Sequence, residues 1–168
     1  MAKATASCTC ATCGKTFEIV HYEYNRKSAN EFEEWAEANC DECPECYRIR
    51  IRAEEAEKAA KIAAELGGVP EITGKSEKQI DFATSLRNHI LSKSTAQERE
   101  FAKKIIYAKS NKPEQWREAV KKRTEKFHCR EEAAEELLLG HYGQSVRKIA
   151  IAMIESDAGK LIDALKDW

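Results

Sequence analysis

The chemistry available to this chain lies in its seven cysteines. Three sit in CTCATCGKTF (Cys8, Cys10, Cys13), three in CDECPECY (Cys40, Cys43, Cys46), and Cys129 stands apart. Thiolates in paired Cys-x-x-Cys knuckles are the strongest sequence signature of a structural zinc site, because zinc prefers four tetrahedral ligands and soft sulfur donors. The first knuckle reads as Cys10-Ala-Thr-Cys13-Gly14, since Cys8-Thr-Cys10 is spaced too tightly for that turn. Pro44 selects the second. In Cys43-Pro44-Glu45-Cys46 the fixed φ of proline helps the turn. With Cys40 and Cys43 as the pair, proline would follow the second ligand, where a positive φ is often needed and proline cannot supply it. The expected ligands are Cys10, Cys13, Cys43 and Cys46 around one structural Zn2+, with Cys40 the substitute for one of the later pair.

Four thiolates fill a zinc shell, and no Glu or His is placed beside an open position, so the ion is expected to fold the chain and not to catalyse. Other motifs fall short. GGVPEITGKS has Val69 where a phosphate-binding loop needs its first glycine, and it follows a helical stretch, whereas such a loop follows a strand. His128, Cys129 and His141 offer a second ligand group, and Cys129 beside His128 offers a reactive thiol. Ligand types scattered around a helix end are more often ordinary packing. No catalytic constellation is visible, and the chain reads as non-enzymatic.

These residues need elements to position them. Residues 1–47 read as a zinc ribbon with a helical insertion, 48–68 as a connecting helix and 69–168 as a helical bundle. The fold class is therefore mainly α, with a short β-hairpin in the ribbon. TFEIVHYEY is rich in β-branched and aromatic residues and predicts a strand. Ser28 and Glu31 form a capping-box pattern, and EFEEWAEA sets Phe32, Trp35 and Ala36 on one helical face. YRIRIRAEEAEKAAKIAAELGG predicts a helix ending at Gly67-Gly68. Capping patterns at Ser76/Gln79 and Thr95/Glu98, and Pro113 at a first turn, predict three further helices. Trp116, Val120 and Phe127 keep near-helical spacing and read as core. One or two terminal helices follow, with Val146, Ile149, Met153, Leu161 and Leu165 inward.

The net charge of −1 conceals an asymmetry. Between Glu31 and Glu57 there are ten acidic residues and three arginines; between Lys103 and Arg130 there are ten basic residues and three glutamates. Glu31, Glu33, Glu34, Glu37, Asp41, Glu42 and Glu45 form an acidic belt around the metal, suited to a basic surface on a protein partner. Lys121, Lys122, Arg123 and Lys126 are the alternative, a phosphate-contacting face for DNA or RNA. No apolar run approaches the ~18 residues of a membrane span. The opening MAKATASCTC lacks the apolar stretch of a secretory signal, which predicts the reducing cytoplasm where clustered cysteines bind metal.

CATCGKTF, EEWAEANCDECPECY and ITGKSEKQIDFATSLR together resemble a group of small zinc-ribbon proteins from Firmicutes and their phages. Members show a Cys-x-x-Cys-Gly-Lys knuckle, a Trp-bearing insertion, a Cys-Pro-x-Cys-Tyr knuckle and a later Gly-Ser-Glu-Lys-Gln-Ile helix start, which Lys75 interrupts here. The likeness covers roughly residues 8 to 90. It implies the ribbon, the zinc and a mobile-element protein in a bacterial host cytoplasm. It also implies an inhibitor of host defence, with anti-CRISPR proteins aimed at type II effector nucleases as the nearest comparison.

Overall fold

The computed structural model describes residues 1–140 and 143–166. It is mainly helical: an antiparallel two-stranded hairpin precedes eight helices among the described residues. The chain divides into two units, 1–54 and 55–168.

The first unit contains β1 (Ala2–Thr9), β2 (Thr16–Glu23), α1 (Arg26–Asn39) and the start of α2 (Pro44–Glu65). The strand expected at TFEIVHYEY is β2, but its partner β1 had no strand signal. AKATASCT alternates small with polar residues, and alanine does not count as a strand former. The alternation is nevertheless real: Ala4, Ala6 and Cys8 are buried and their neighbours exposed. Their register sets Ala4 opposite His21, Ala6 opposite Ile19 and Cys8 opposite Phe17. The helix α1 packs on the hairpin through Ala29 and Ala36, both fully buried.

Two expectations for α1 need correction. The helix starts before Ser28: Asn25 is the N-cap, its side chain accepting the Ser28 N–H at 2.9 Å. Asparagine is as good a cap as serine, and the nearer one wins. Trp35 does not share the inner face with Ala36 but is 55% exposed. It tilts onto Phe32 at 5.8 Å between ring centroids, and Phe32 in turn stacks on His21 at 4.8 Å.

The helix α2 begins at Pro44, inside the second knuckle, with proline at the first helical position, where its missing N–H costs nothing. It ends in a Schellman motif: Gly68 N–H reaches Ala63 O at 2.8 Å and Gly67 N–H reaches Ala64 O at 3.1 Å, both glycines at positive φ.

The second unit packs the later part of α2 with α3 (Glu77–Lys93), α4 (Ala96–Asn111), α5 (Pro113–Phe127), α6 (Glu131–Leu139), α7 (Gly143–Ile154) and α8 (Ala158–Leu165). Ile90, Leu91, Val146, Ile149, Leu161 and Leu165 form its fully buried centre. The helix starts follow local chemistry. Thr95 and Glu98 make a complete capping box. Ser76 caps Gln79 N–H, but the Gln79 side chain accepts from Lys75 N–H at 3.0 Å, one residue short of the reciprocal bond. Phe127 is a correction: it is 46% exposed, whereas Val120 is buried and Trp116 half-buried. It is the last residue of α5, at the end of the packed stripe, and its ring lies under Arg123 and Lys126.

Arg87 is the one buried charged side chain among the described residues. It donates to Pro70 O at 2.6 Å and to Glu155 O. These bonds tie the loop after α2 to the α7–α8 connection, where Thr73 pairs with residues 156–158 in a short parallel bridge. A buried carbonyl stripped of its donor costs about 1–3 kcal/mol. Arg87→Met is therefore expected to lower stability by about 2–4 kcal/mol. Arg87→Lys should recover only part of this, because one ammonium cannot reproduce a planar fork. Urea denaturation followed by circular dichroism measures both.

Candidate metal centre

The first knuckle is the turn of the hairpin. Cys10 N–H bonds Lys15 O at 2.9 Å, closing the ladder, and Gly14 N–H bonds Cys10 O at 2.8 Å. Gly14 has φ +71°, a backbone position that glycine takes without strain. The second knuckle is the entry to α2. Ala11 N–H reaches Asp41 O at 2.7 Å, so backbone alone docks one turn on the other. Lys15 and Glu45 add an exposed ion pair at 3.5 Å between the knuckles.

This docking gathers Cys10, Cys13, Cys43 and Cys46. Their four sulfur atoms lie within 4.8 Å of one another. A tetrahedron with metal–sulfur bonds of ~2.3 Å has edges of about 3.8 Å. The Cys13 and Cys43 sulfurs stand 3.8 Å apart. Cys10 and Cys43 are buried, Cys46 is half-buried and Cys13 faces solvent. Backbone amides point at the sulfurs as they do at bound thiolates: Cys43 N–H to Cys10 Sγ at 3.3 Å, and Cys46 N–H to Cys43 Sγ at 3.5 Å.

Electrostatics follow from these contacts. The Cys43 amide, above all, lowers the Cys10 thiol to about 6, favouring the thiolate. The Cys46 thiol is raised, first by its hydrogen bond with Cys43 and then by that with Cys13.

The remaining cysteines lie elsewhere. Cys8 is buried against Ala6 and Ala36, its thiol donating to Ala36 O at 3.5 Å, and burial raises its pKa. Cys40 is the C-cap residue of α1 and packs on the same small cluster. Its main-chain N–H bonds Ala36 O at 2.8 Å, which fixes it at the helix end. Among the described residues, no second group of potential ligands surrounds one point. His128 serves as the left-handed C-cap of α5, and His141 lies outside the described residues.

The acidic belt is unevenly occupied. Glu33 accepts from Thr5 N–H at 2.9 Å and pairs with Arg26 at 3.3 Å. Glu42 pairs with Arg50 at 2.9 Å, Glu31 with Lys27 at 3.8 Å and Glu45 with Lys15. Glu34, Glu37 and Asp41 are exposed and form no ion pair among the described residues. On α5, Lys122 pairs with Glu118 at 2.7 Å and Lys121 faces Glu125 at 3.9 Å; Arg123 and Lys126 lie over Phe127. The expected phosphate-contacting face is thus laced with its own carboxylates. Sequence reading missed Glu33 and Arg26 as structural groups; their spacing of seven, two helical turns on one face, was the available signal.

The chain is expected to bind one metal ion per molecule. Co2+ titration should give the visible bands of tetrahedral thiolate coordination, and Cys10→Ser should abolish them. Cys8→Ser and Cys40→Ser should leave them intact. Affinity should fall as pH falls, since thiolates and not thiols bind the ion. No family model, curated protein or solved structure matches this chain.

Proposed function

We propose that this protein is a non-enzymatic binding module, held by one structural zinc ion, that inhibits a nucleic-acid-handling enzyme in the manner of anti-CRISPR proteins against type II effector nucleases. Zinc is the ion because four thiolates in a tetrahedron suit it best, and because a shell filled by protein ligands leaves no position for substrate.

The observation that carries the reading is the set of exposed carboxylates on α1 and at the start of the second knuckle. Glu34, Glu37 and Asp41 are exposed and form no ion pair among the described residues, while their four companions each face a neighbouring cation. Four thiolates around one divalent ion add about −2 to the same unit. An uncompensated negative surface on a small rigid unit competes for the basic grooves in which nucleases hold their strands. The basic face of α5 supports a nucleic-acid role less well, because Lys121 and Lys122 already face glutamates on their own helix.

The test is a target-DNA cleavage assay with a purified type II effector nuclease. Excess protein should suppress cleavage. The triple variant Glu34→Lys, Glu37→Lys, Asp41→Lys should restore most of it, with metal content and circular dichroism unchanged. Unimpeded cleavage in the presence of the unaltered protein would discard the inhibitor reading.

A further inference from the structure

The two edges of the hairpin are treated differently. In an antiparallel pair, alternate residues turn their N–H and C=O groups away from the partner strand. On β1 these include Lys3 and Thr5, and one group of each is taken: Arg26 donates to Lys3 O at 3.0 Å, and Glu33 accepts from Thr5 N–H at 2.9 Å. The helix α1 thus blocks the β1 edge with two charged side chains, a familiar defence against unwanted strand pairing.

The register then fixes the other edge. Lys3 stands opposite Tyr22, Thr5 opposite Val20 and Ser7 opposite Glu18. These are the pairs without mutual hydrogen bonds, so the backbone groups of Glu18, Val20 and Tyr22 point outward from β2. No group among the described residues bonds to them, and no third strand lies there. Apart from the single charge of Glu18, the side chains offer little defence. Val20 is 46% and Tyr22 59% exposed, and β2 contains no proline, lysine or arginine. An open, strand-forming edge beside a deliberately blocked one is a template for strand addition.

We infer that the outer edge of β2 is a docking site for an extended, basic segment of a protein partner, which adds to the hairpin as a third strand. Charge selects the occupant. On β2, Glu23 already faces His21 at 3.3 Å, but Glu18 is exposed and has no ion pair among the described residues, so a lysine- or arginine-bearing strand gains a cross-strand pair with it. A second copy of β2, paired antiparallel about Val20, would set Glu18 against Tyr22 and offer it no cation. The inference rests on the reading of this protein as a binding module and names where the partner's backbone would lie.

The probe is a short synthetic peptide of alternating lysine and valine, with two controls: the glutamate-valine version, and a version N-methylated at alternate backbone positions. Hydrogen exchange by NMR reads the Glu18, Val20 and Tyr22 amides of the metal-loaded protein. The lysine peptide should slow exchange at Val20 and Tyr22 by about tenfold or more; neither control should. Val20→Pro removes an outward N–H without breaking a ladder bond, so the hairpin should persist and the protection should vanish. Should that variant lose its metal, the N-methylated peptide still decides the matter. Absent protection, protection that survives N-methylation, or a β2-mediated dimer of the protein alone would each overturn the proposal. The two readings fail separately. Peptide protection without nuclease inhibition retains the edge and discards the nuclease; inhibition without peptide protection does the reverse.

Discussion

Four sulfur atoms brought to one point are the constraint on which the first unit depends. Its fully buried side chains are small: Ala4, Ala6, Ala29 and Ala36, with Cys8, Cys10 and Cys43 close behind. Four buried methyl groups contribute about 3 kcal/mol between them. A structural zinc site in a comparable small module contributes roughly 10–16 kcal/mol. An ion bound by the four sulfurs would therefore be a large part of what holds this unit together, beside the packing of Phe17, Ile19 and Phe32 on its small core. The small residues have a second use: they let α1 lie close enough to the hairpin for Glu33 and Arg26 to reach the β1 backbone.

The second unit is built on the opposite principle. It has an ordinary core of Ile, Leu and Val, and α3, α4 and α8 start on side-chain caps that need no ion. Its irregular part is the loop after the Gly67-Gly68 stop, which Arg87 and the Thr73 bridge hold down. The helix α2 belongs to both units. Its first turn carries Cys46, and Ala59 lies in the bundle core. One uninterrupted helix therefore carries both the second knuckle and part of the bundle core.

Much of this was legible in the sequence because it depends on local chemistry. The knuckles, the strand at TFEIVHYEY, the double-glycine stop and the caps at Ser76 and Thr95 are each set by a few adjacent residues. The choice of the Cys43/Cys46 pair over Cys40/Cys43 followed from where proline can stand, and the four sulfurs that cluster are those the spacing selected. What escaped depends on distant partners. β1 is recognisable only through α1, because alanine is a good strand residue where a helix must come close. The outward tilt of Trp35 depends on Phe32 stacking on His21 across elements. The pairing of four belt carboxylates depends on cations up to thirty residues away, such as Lys15 for Glu45. The exposure of Phe127 reflects the end of a packed stripe, which periodicity alone cannot mark.

X-ray absorption at the zinc edge, on protein purified without added metal, tests the central claim most directly. The account predicts one zinc ion with four sulfur neighbours at about 2.3 Å and no lighter ligand. A first shell containing oxygen or nitrogen, or a folded protein with no ion at all, would contradict it.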